Sequence, residues 1–145
     1  MKAAAAIPEE AAYLDLVRTA ELLSRHFVQL LKADDLSPAQ YNVLRILRGS
    51  PDGLTCGEIA NRMITRDPDI TRLLDRMEKR NLISRSRDRK DRRVVLTRIT
   101  AEGLDLLAGL DHPVREKHRR LLGHLGAERL RTLRQLLEAC RSEAA

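Results

Sequence analysis

Asp67-Pro-Asp-Ile-Thr-Arg-Leu-Leu-Asp-Arg-Met-Glu-Lys-Arg80, running on through Asn81-Leu-Ile-Ser84 into Arg85-Ser-Arg-Asp-Arg-Lys-Asp-Arg-Arg93, is the stretch that decides the fold. Ile70, Leu73, Leu74 and Met77 recur at helical spacing. This predicts a helix that turns Asp69, Thr71, Arg72, Asp75, Arg76 and Lys79 outward. Asp67 is expected to cap it, Pro68 suits its first position, and it should end near Arg80-Asn81. The period then changes. Leu82–Arg85 and Val94–Ile99 are short and rich in β-branched residues, and they flank the charged run; they read as two strands of a hairpin with a charged loop at its tip. Arg85–Arg93 holds six cations and two carboxylates, a local +4 against +6 for the whole chain. Most of the excess charge is thus gathered at one place, and that placement points to nucleic acid more strongly than a basic balance alone.

Upstream, Thr55-Cys-Gly-Glu58 is a capping box opening a short helix with Ile59, Ala60 and Met63 inward, and Ile64-Thr-Arg66 forms a turn. Helix, turn, helix and hairpin together make a winged helix-turn-helix. Ser37-Pro-Ala-Gln40 opens the preceding helix with a second capping box and a proline at its first position. Gly49-Ser-Pro-Asp-Gly53 is a turn cluster. Residues 9–33 read as one long amphipathic helix on Tyr13, Leu16, Val17, Ala20, Leu23, Phe27, Leu30 and Leu31, ended by Asp34-Asp35. On the other side, Thr100 caps a helix that Pro113 should kink or interrupt before it resumes to about Leu122. Gly123 and Gly126 bracket a turn. A last helix carries Leu130, Leu133, Leu136, Leu137 and Cys140 on one face, with Cys140 expected in the core.

The expected fold is mainly α with a small β-hairpin wing, a single domain over 1–145. Residues 37–100 form the winged helix-turn-helix, and 9–33 with 101–143 form a dimerisation scaffold, because one winged domain cannot cover three further apolar faces. Aromatics are only 2% of the chain (Tyr13, Phe27 and Tyr41), so the core must come from Leu, Ile, Val and Ala.

A helix fits the major groove, where each base pair shows its own donor and acceptor pattern. The second helix of the motif enters it, led by N-terminal residues. Arg72 is the first candidate for a base contact, since guanidinium can bind guanine O6 and N7 together. Thr71 suits a base edge or a phosphate, and Arg66 and Arg76 suit phosphates. Asp69 suits either cytosine N4 or the positive end of its own helix. The hairpin tip, with Arg87, Arg89, Lys90, Asp91, Arg92 and Arg93, suits the narrow minor groove, whose negative potential attracts arginine. Arg92 and Arg93 are the candidates for insertion, with Asp88 and Asp91 holding the neighbouring arginines in place.

Other chemistry finds no support in the sequence. There is no phosphate loop, no nucleophile motif, no evident carboxylate pair and no metal-ligand spacing among His26, His112, His118 and His124, so neither an enzyme nor a cofactor is expected. Cys56 and Cys140 make no disulfide framework and fit a reducing cytoplasm. No run approaches the length of a membrane span. An architectural, sequence-indifferent DNA binder is the competing reading, and the readout positions Thr71 and Arg72 favour a sequence-specific one.

Ile59-Ala-Asn-Arg-Met63 through Asp69–Ile83 resembles the two central helices of the MarR family of bacterial transcriptional regulators. Asp88–Thr100 with Ala101-Glu-Gly103 resembles that family's wing and the start of its next helix. The resemblance implies a homodimer whose subunits each offer a winged domain to half of a pseudo-palindrome. It further implies repression relieved by a small ligand or an oxidant. The wing acid and arginine that matter in the family fall on Asp91 and Arg93. Lys90 stands where the family usually has Arg, keeping charge but losing a planar fork. Arg66-Asp67 stands where small polar residues are common. The family's ligand pocket lies between scaffold and winged domain, and Phe27, Tyr41 and Arg45 are the residues placed to line it.

Overall fold

The computed structural model describes residues 4–145. Its elements are α1 (Pro8–Lys32), α2 (Pro38–Arg48), α3 (Cys56–Arg62), α4 (Ile70–Lys79), β1 (Ile83–Arg87), β2 (Val95–Ile99), α5 (Ala101–Leu122), a short 3-10 turn (Gly123–Leu125) and α6 (Gly126–Ala144). They divide into two compact units, Phe27–His112 and the remainder, with the divisions falling inside α1 and inside α5.

The central unit holds a dense aliphatic core. Val43, Leu44 and Leu47 of α2, Ile59 of α3, Leu74 and Met77 of α4, Ile83 of β1 and Leu107 of α5 are all essentially inaccessible. Both expected capping boxes form. Ser37 Oγ accepts from Gln40 N while the Gln40 side chain accepts from Ser37 N, and Thr55 and Glu58 repeat the arrangement. Each box satisfies helix-end donors that would otherwise be orphaned, so the start of each helix is written in four residues. α2 is tied to α5 by Arg48, whose guanidinium donates to both carboxylate oxygens of Asp111 at 2.8 and 3.0 Å.

β1 and β2 pair antiparallel from Ile83 opposite Ile99 to Arg87 opposite Val95. A further bridge joins them from the loop before α3: Leu54 N donates to Thr97 O at 3.0 Å and Thr97 N to Leu54 O at 2.8 Å. This buries Thr97 and ties the hairpin to the helix-turn-helix. The loop reaches β2 through Gly53, whose φ of +93° belongs to the left-handed region and whose missing side chain would lie 3.2 Å from Thr97 O.

The end of α4, the root of the hairpin and the start of α5 meet in one knot. Asn81 adopts φ +59°, a left-handed conformation that Asn tolerates, and turns the chain out of the helix. Thr100 Oγ1 donates to Asn81 O and accepts from Gly103 N, while Thr100 N donates to Leu82 O. Asn81 Nδ2 donates to Glu102 Oε1 at 2.7 Å. Gly103 lies so close that a Cβ there would sit 2.4 Å from Leu82 O and 2.7 Å from Ile99 Cγ1. No residue but glycine fits against the strand pair at this point.

The other unit is differently built. Val114 is its single buried residue among those described, and α6 has none. Tyr13, Leu16, Val17 and Leu22 of α1 and Leu133 and Leu136 of α6 are exposed, Tyr13, Leu22 and Leu136 by more than half.

Three expectations need correcting. Pro113 lies inside α5, which runs unbroken from Ala101 to Leu122. Cys140 is exposed, because the α6 stripe to which it belongs is not covered within the chain. The recognition helix also begins later than Asp67. The turn after α3 extends through Asp69, which is the true N-cap and accepts from Arg72 N at 3.2 Å. Asp67 instead accepts from Asp69 N at 2.8 Å, closing an Asx turn one step earlier. With aspartates on both sides of Pro68, the capping pattern fits either one, and the Asx turn resolves the choice.

Candidate nucleic-acid interface

The turn between α3 and α4 is fixed from behind by α2: Asn42 Oδ1 accepts from Ile64 N at 2.8 Å. Nothing in the sequence marks Asn42 for this task, since a polar residue on a half-buried helix face has many uses. Arg80, at the far end of α4, donates to Asp35 O and Asp34 O, so its charge is spent on the carbonyls that follow α1. α4 is thereby held at its beginning and at its end.

Between these anchors α4 presents Thr71, Arg72 and Arg76 to solvent. Arg66, Arg72 and Arg76 make no side-chain hydrogen bond or ion pair among the described residues, and Arg66 is exposed on the preceding turn. Asp69 is engaged at Arg72 N, so its carboxylate already serves its own helix.

Strand periodicity sorts the basic run into separate tasks. Ile83, Arg85 and Arg87 fall on one face of β1, because side chains alternate along a strand. Ile83 is buried. Arg85, two residues on, donates from Nη2 to Asp75 Oδ1 at 2.5 Å and to Glu78 Oε1 at 2.9 Å, and its backbone N donates to Glu78 Oε2 at 3.1 Å. This joins wing and recognition helix. The bond from Arg85 holds the Glu78 carboxyl below its ordinary range. Two residues further, Arg87 donates to Arg92 O at 2.8 Å and closes the base of the tip. The hairpin strand therefore runs to Arg87, two residues past its expected end at Arg85, and the tip is shorter than the sequence suggests. Pairing with Val95 and Leu96 across the hairpin extends the strand in spite of the charge.

The tip itself is built on its two aspartates. Asp88 Oδ1 accepts from Lys90 N, and Asp88 N donates to Val94 O, so Asp88 shapes backbone and holds no arginine. Asp91 does hold one: its carboxylate accepts from Arg93 Nε at 3.1 Å, from Nη2 at 3.2 Å and from Arg93 N. The hydrogen bond from the Arg93 guanidinium lowers the Asp91 pKa. Arg93 stays 91% exposed in its side chain, so it is oriented without being buried. Arg89, Lys90 and Arg92 are exposed, with side chains that make no hydrogen bond or ion pair among the described residues.

Phe27, Tyr41 and Arg45 lie elsewhere. Arg45 donates to Tyr41 Oη at 3.3 Å with its guanidinium carbon 5.9 Å from the ring centroid, an exposed cation–π pair along α2. Phe27 is half-buried. None of the three lines the open groove that lies between the end of α1, the start of α2 and the far half of α4. Among the described residues, no helix is long and apolar enough to cross a membrane.

Comparison with known proteins adds to this geometry. The MarR family profile matches residues 36–95. The crystal structure of a MarR transcription factor from Planctomyces limnophilus is 41% identical, with 92% of this chain and 97% of that chain covered and a TM-score of 0.70. The MepR–DNA complex from S. aureus aligns at 26% identity with a TM-score of 0.79 over 91% of this chain and 96% of that one. Among curated proteins, the homoprotocatechuate degradative operon repressor of Escherichia coli is 28% identical over 123 residues, which is 85% of this chain and 82% of the repressor. These relatives are regulators of transcription, not enzymes.

Proposed function

The chain belongs to the MarR family of DNA-binding transcriptional regulators, and from that premise we propose that it is a repressor that binds a pseudo-palindromic operator as a homodimer and is released by a small molecule. The observation that carries the sequence-specific part is the pairing of two prepared surfaces. One is the outward face of α4 with Thr71 and Arg72. The other is a wing tip in which Asp91 aims Arg93.

In this reading Arg72 takes guanine in the major groove and Thr71 a base edge or phosphate. Arg66 and Arg76 take phosphates. Arg93 and Arg92 enter the minor groove, with Arg87, Arg89, Lys90 and Asp91 shaping and charging the tip. Asp69 acts by fixing the start of the helix. The homodimer is supported by the uncovered apolar residues of α1 and α6, which need a partner of the same kind. Release by a small molecule is supported by kinship with a repressor of a degradative operon, and Phe27, Tyr41 and Arg45 remain the side chains proposed to meet an effector. Binding to a double-stranded pseudo-palindrome with half-sites about one duplex turn apart should fall steeply with salt. Equal affinity for scrambled competitor DNA in an anisotropy assay would refute the sequence-specific reading.

A further inference from the structure

Ile64 is 89% exposed, the most exposed large hydrophobic side chain among the described residues. The others exposed by more than half, Ile7, Tyr13, Leu22 and Leu136, all belong to the other unit, whose apolar residues the proposed second subunit would cover. Ile64 belongs to the central unit and stands in the turn that leads from α3 into α4. Single exposed aliphatics are common on protein surfaces. This one is set apart by how it is held and by what surrounds it. Its backbone N–H donates to Asn42 Oδ1 at 2.8 Å, which anchors the residue to α2. Its Cβ is branched, so χ1 has few rotamers and little side-chain entropy is lost on contact. Arg62, on the α3 side, donates to Ser50 Oγ at 3.0 Å and leaves Ile64 uncovered. Thr65 and Arg66, on the other side, are exposed as well. An apolar group is thus held out from a polar and cationic turn, just ahead of the helix that carries Thr71 and Arg72.

We propose that Ile64 reads the C5-methyl group of a thymine in the major groove, and so fixes one base pair of each half-site that Thr71 and Arg72 do not read. The proposal rests on the reading given above, in which the N-terminal end of α4 enters that groove. Base edges there present donors and acceptors, and a single kind of apolar group, the thymine methyl. An isoleucine pressed on any other base edge strips water from a donor or acceptor and offers no hydrogen bond in return. Against the methyl it removes apolar surface from water on both sides of the contact.

The test uses the full chain and a duplex that it selects from a random-sequence pool. Each thymine of one half-site is replaced in turn by deoxyuridine, which lacks only the methyl group. Fluorescence anisotropy then gives the affinity of the unaltered protein and of Ile64→Ala for each duplex. At one position the unaltered protein should lose about fourfold, the worth of one buried methyl-sized group. Ile64→Ala should bind the unmodified duplex more weakly by at least as much, and should not distinguish thymine from deoxyuridine at that position. Its Tm should match that of the unaltered protein, because the position is exposed. Methyl effects of equal size in both proteins at every thymine overturn the proposal, as does the absence of any methyl effect. A loss in Ile64→Ala that is the same on selected and scrambled duplexes also overturns it, by setting the side chain against deoxyribose instead of a base. Unaltered affinity in Ile64→Ala overturns it by leaving the residue no contact with DNA. Each of these results leaves the sequence-specific reading standing, since a common sequence has been selected. A pool that yields no common sequence overturns that reading, and this proposal with it.

Discussion

Replacing Arg85 by Ala should loosen the wing from the recognition helix, and the structure sets the size of the effect. Two charge-assisted bonds are lost, to Asp75 and Glu78, while the backbone bond from Arg85 N to Glu78 survives. The Arg85 side chain is 25% exposed and its partners 48% and 40%, so solvent screens both bonds substantially. Discounted for that exposure, each contributes roughly 0.5–1 kcal/mol, for a total of about 1–2 kcal/mol. For a chain of this length that corresponds to a fall in Tm of roughly 3–6 °C. DNA binding should suffer separately, because two carboxylates beside the reading face lose their counter-charge and the wing loses a tether. A loss of about tenfold in affinity is expected, on the order of 1.4 kcal/mol. Calorimetric melting and fluorescence anisotropy with a cognate duplex measure the two effects independently. Adding Asp75→Asn and Glu78→Gln to Arg85→Ala separates charge from geometry, because it removes the two carboxylates left without a counter-charge and does not restore the tether. If Arg85→Ala leaves Tm and affinity unaltered, the link between wing and helix has no energetic content. If the triple variant regains full affinity, the link acts through charge alone and positioning is not its role.

Other outcomes test other parts of the molecule. Arg72→Ala should relax preference at one base pair, costing about 1–3 kcal/mol against the best sequence, whereas Arg93→Ala should weaken all sequences alike and lower the salt slope by about one; competition assays across single-base variants distinguish them. Gly103→Ala drives a Cβ into the Leu82 carbonyl and Ile99, and urea denaturation should show a loss of about 1–3 kcal/mol. The Glu78 carboxyl titrates below its ordinary value of 4.5 in the folded protein, so its contribution is fully present above that value and is lost as pH falls through the lowered one. Glu78→Gln should therefore flatten the acid limb of the stability curve, read from Tm between neutral pH and about pH 3.

Much of the molecule is legible in the sequence because its signals are local. A capping box is complete within four residues, as at Ser37–Gln40 and Thr55–Glu58, and both form where the pattern places them. The inward stripe of α4 and the change of period at Leu82 are equally short-range, and so the winged helix-turn-helix emerges from one strand of text. What sequence leaves open depends on partners distant in the chain. Asn42 meets Ile64, Arg80 meets the carbonyls of Asp34 and Asp35, and Leu54 pairs with Thr97. None of these leaves a periodic trace. The start of α4 is misplaced at Asp67 for a different reason: Asp67 and Asp69 carry the same capping group, and only the geometry of the Asx turn assigns them different work. The basic run shows the same division. Its charge is evident at once, yet the assignment of Arg85 to a clamp, Arg87 to closure and Arg93 to presentation needs the strand register.

The knot of Asn81, Thr100 and Gly103, the Leu54–Thr97 bridge and the Arg85 clamp all hold the wing at its base. Everything from Asp88 to Val94 is then a cantilever whose own turns are closed by its own atoms. Such a segment is an interchangeable cartridge. Its length and sequence can drift, or be swapped between regulators, while the aliphatic core and the recognition helix stay as they are. If the tip and α4 take different grooves, as proposed above, target preference in one can evolve apart from preference in the other, and a designer could recode the tip without solving the fold again.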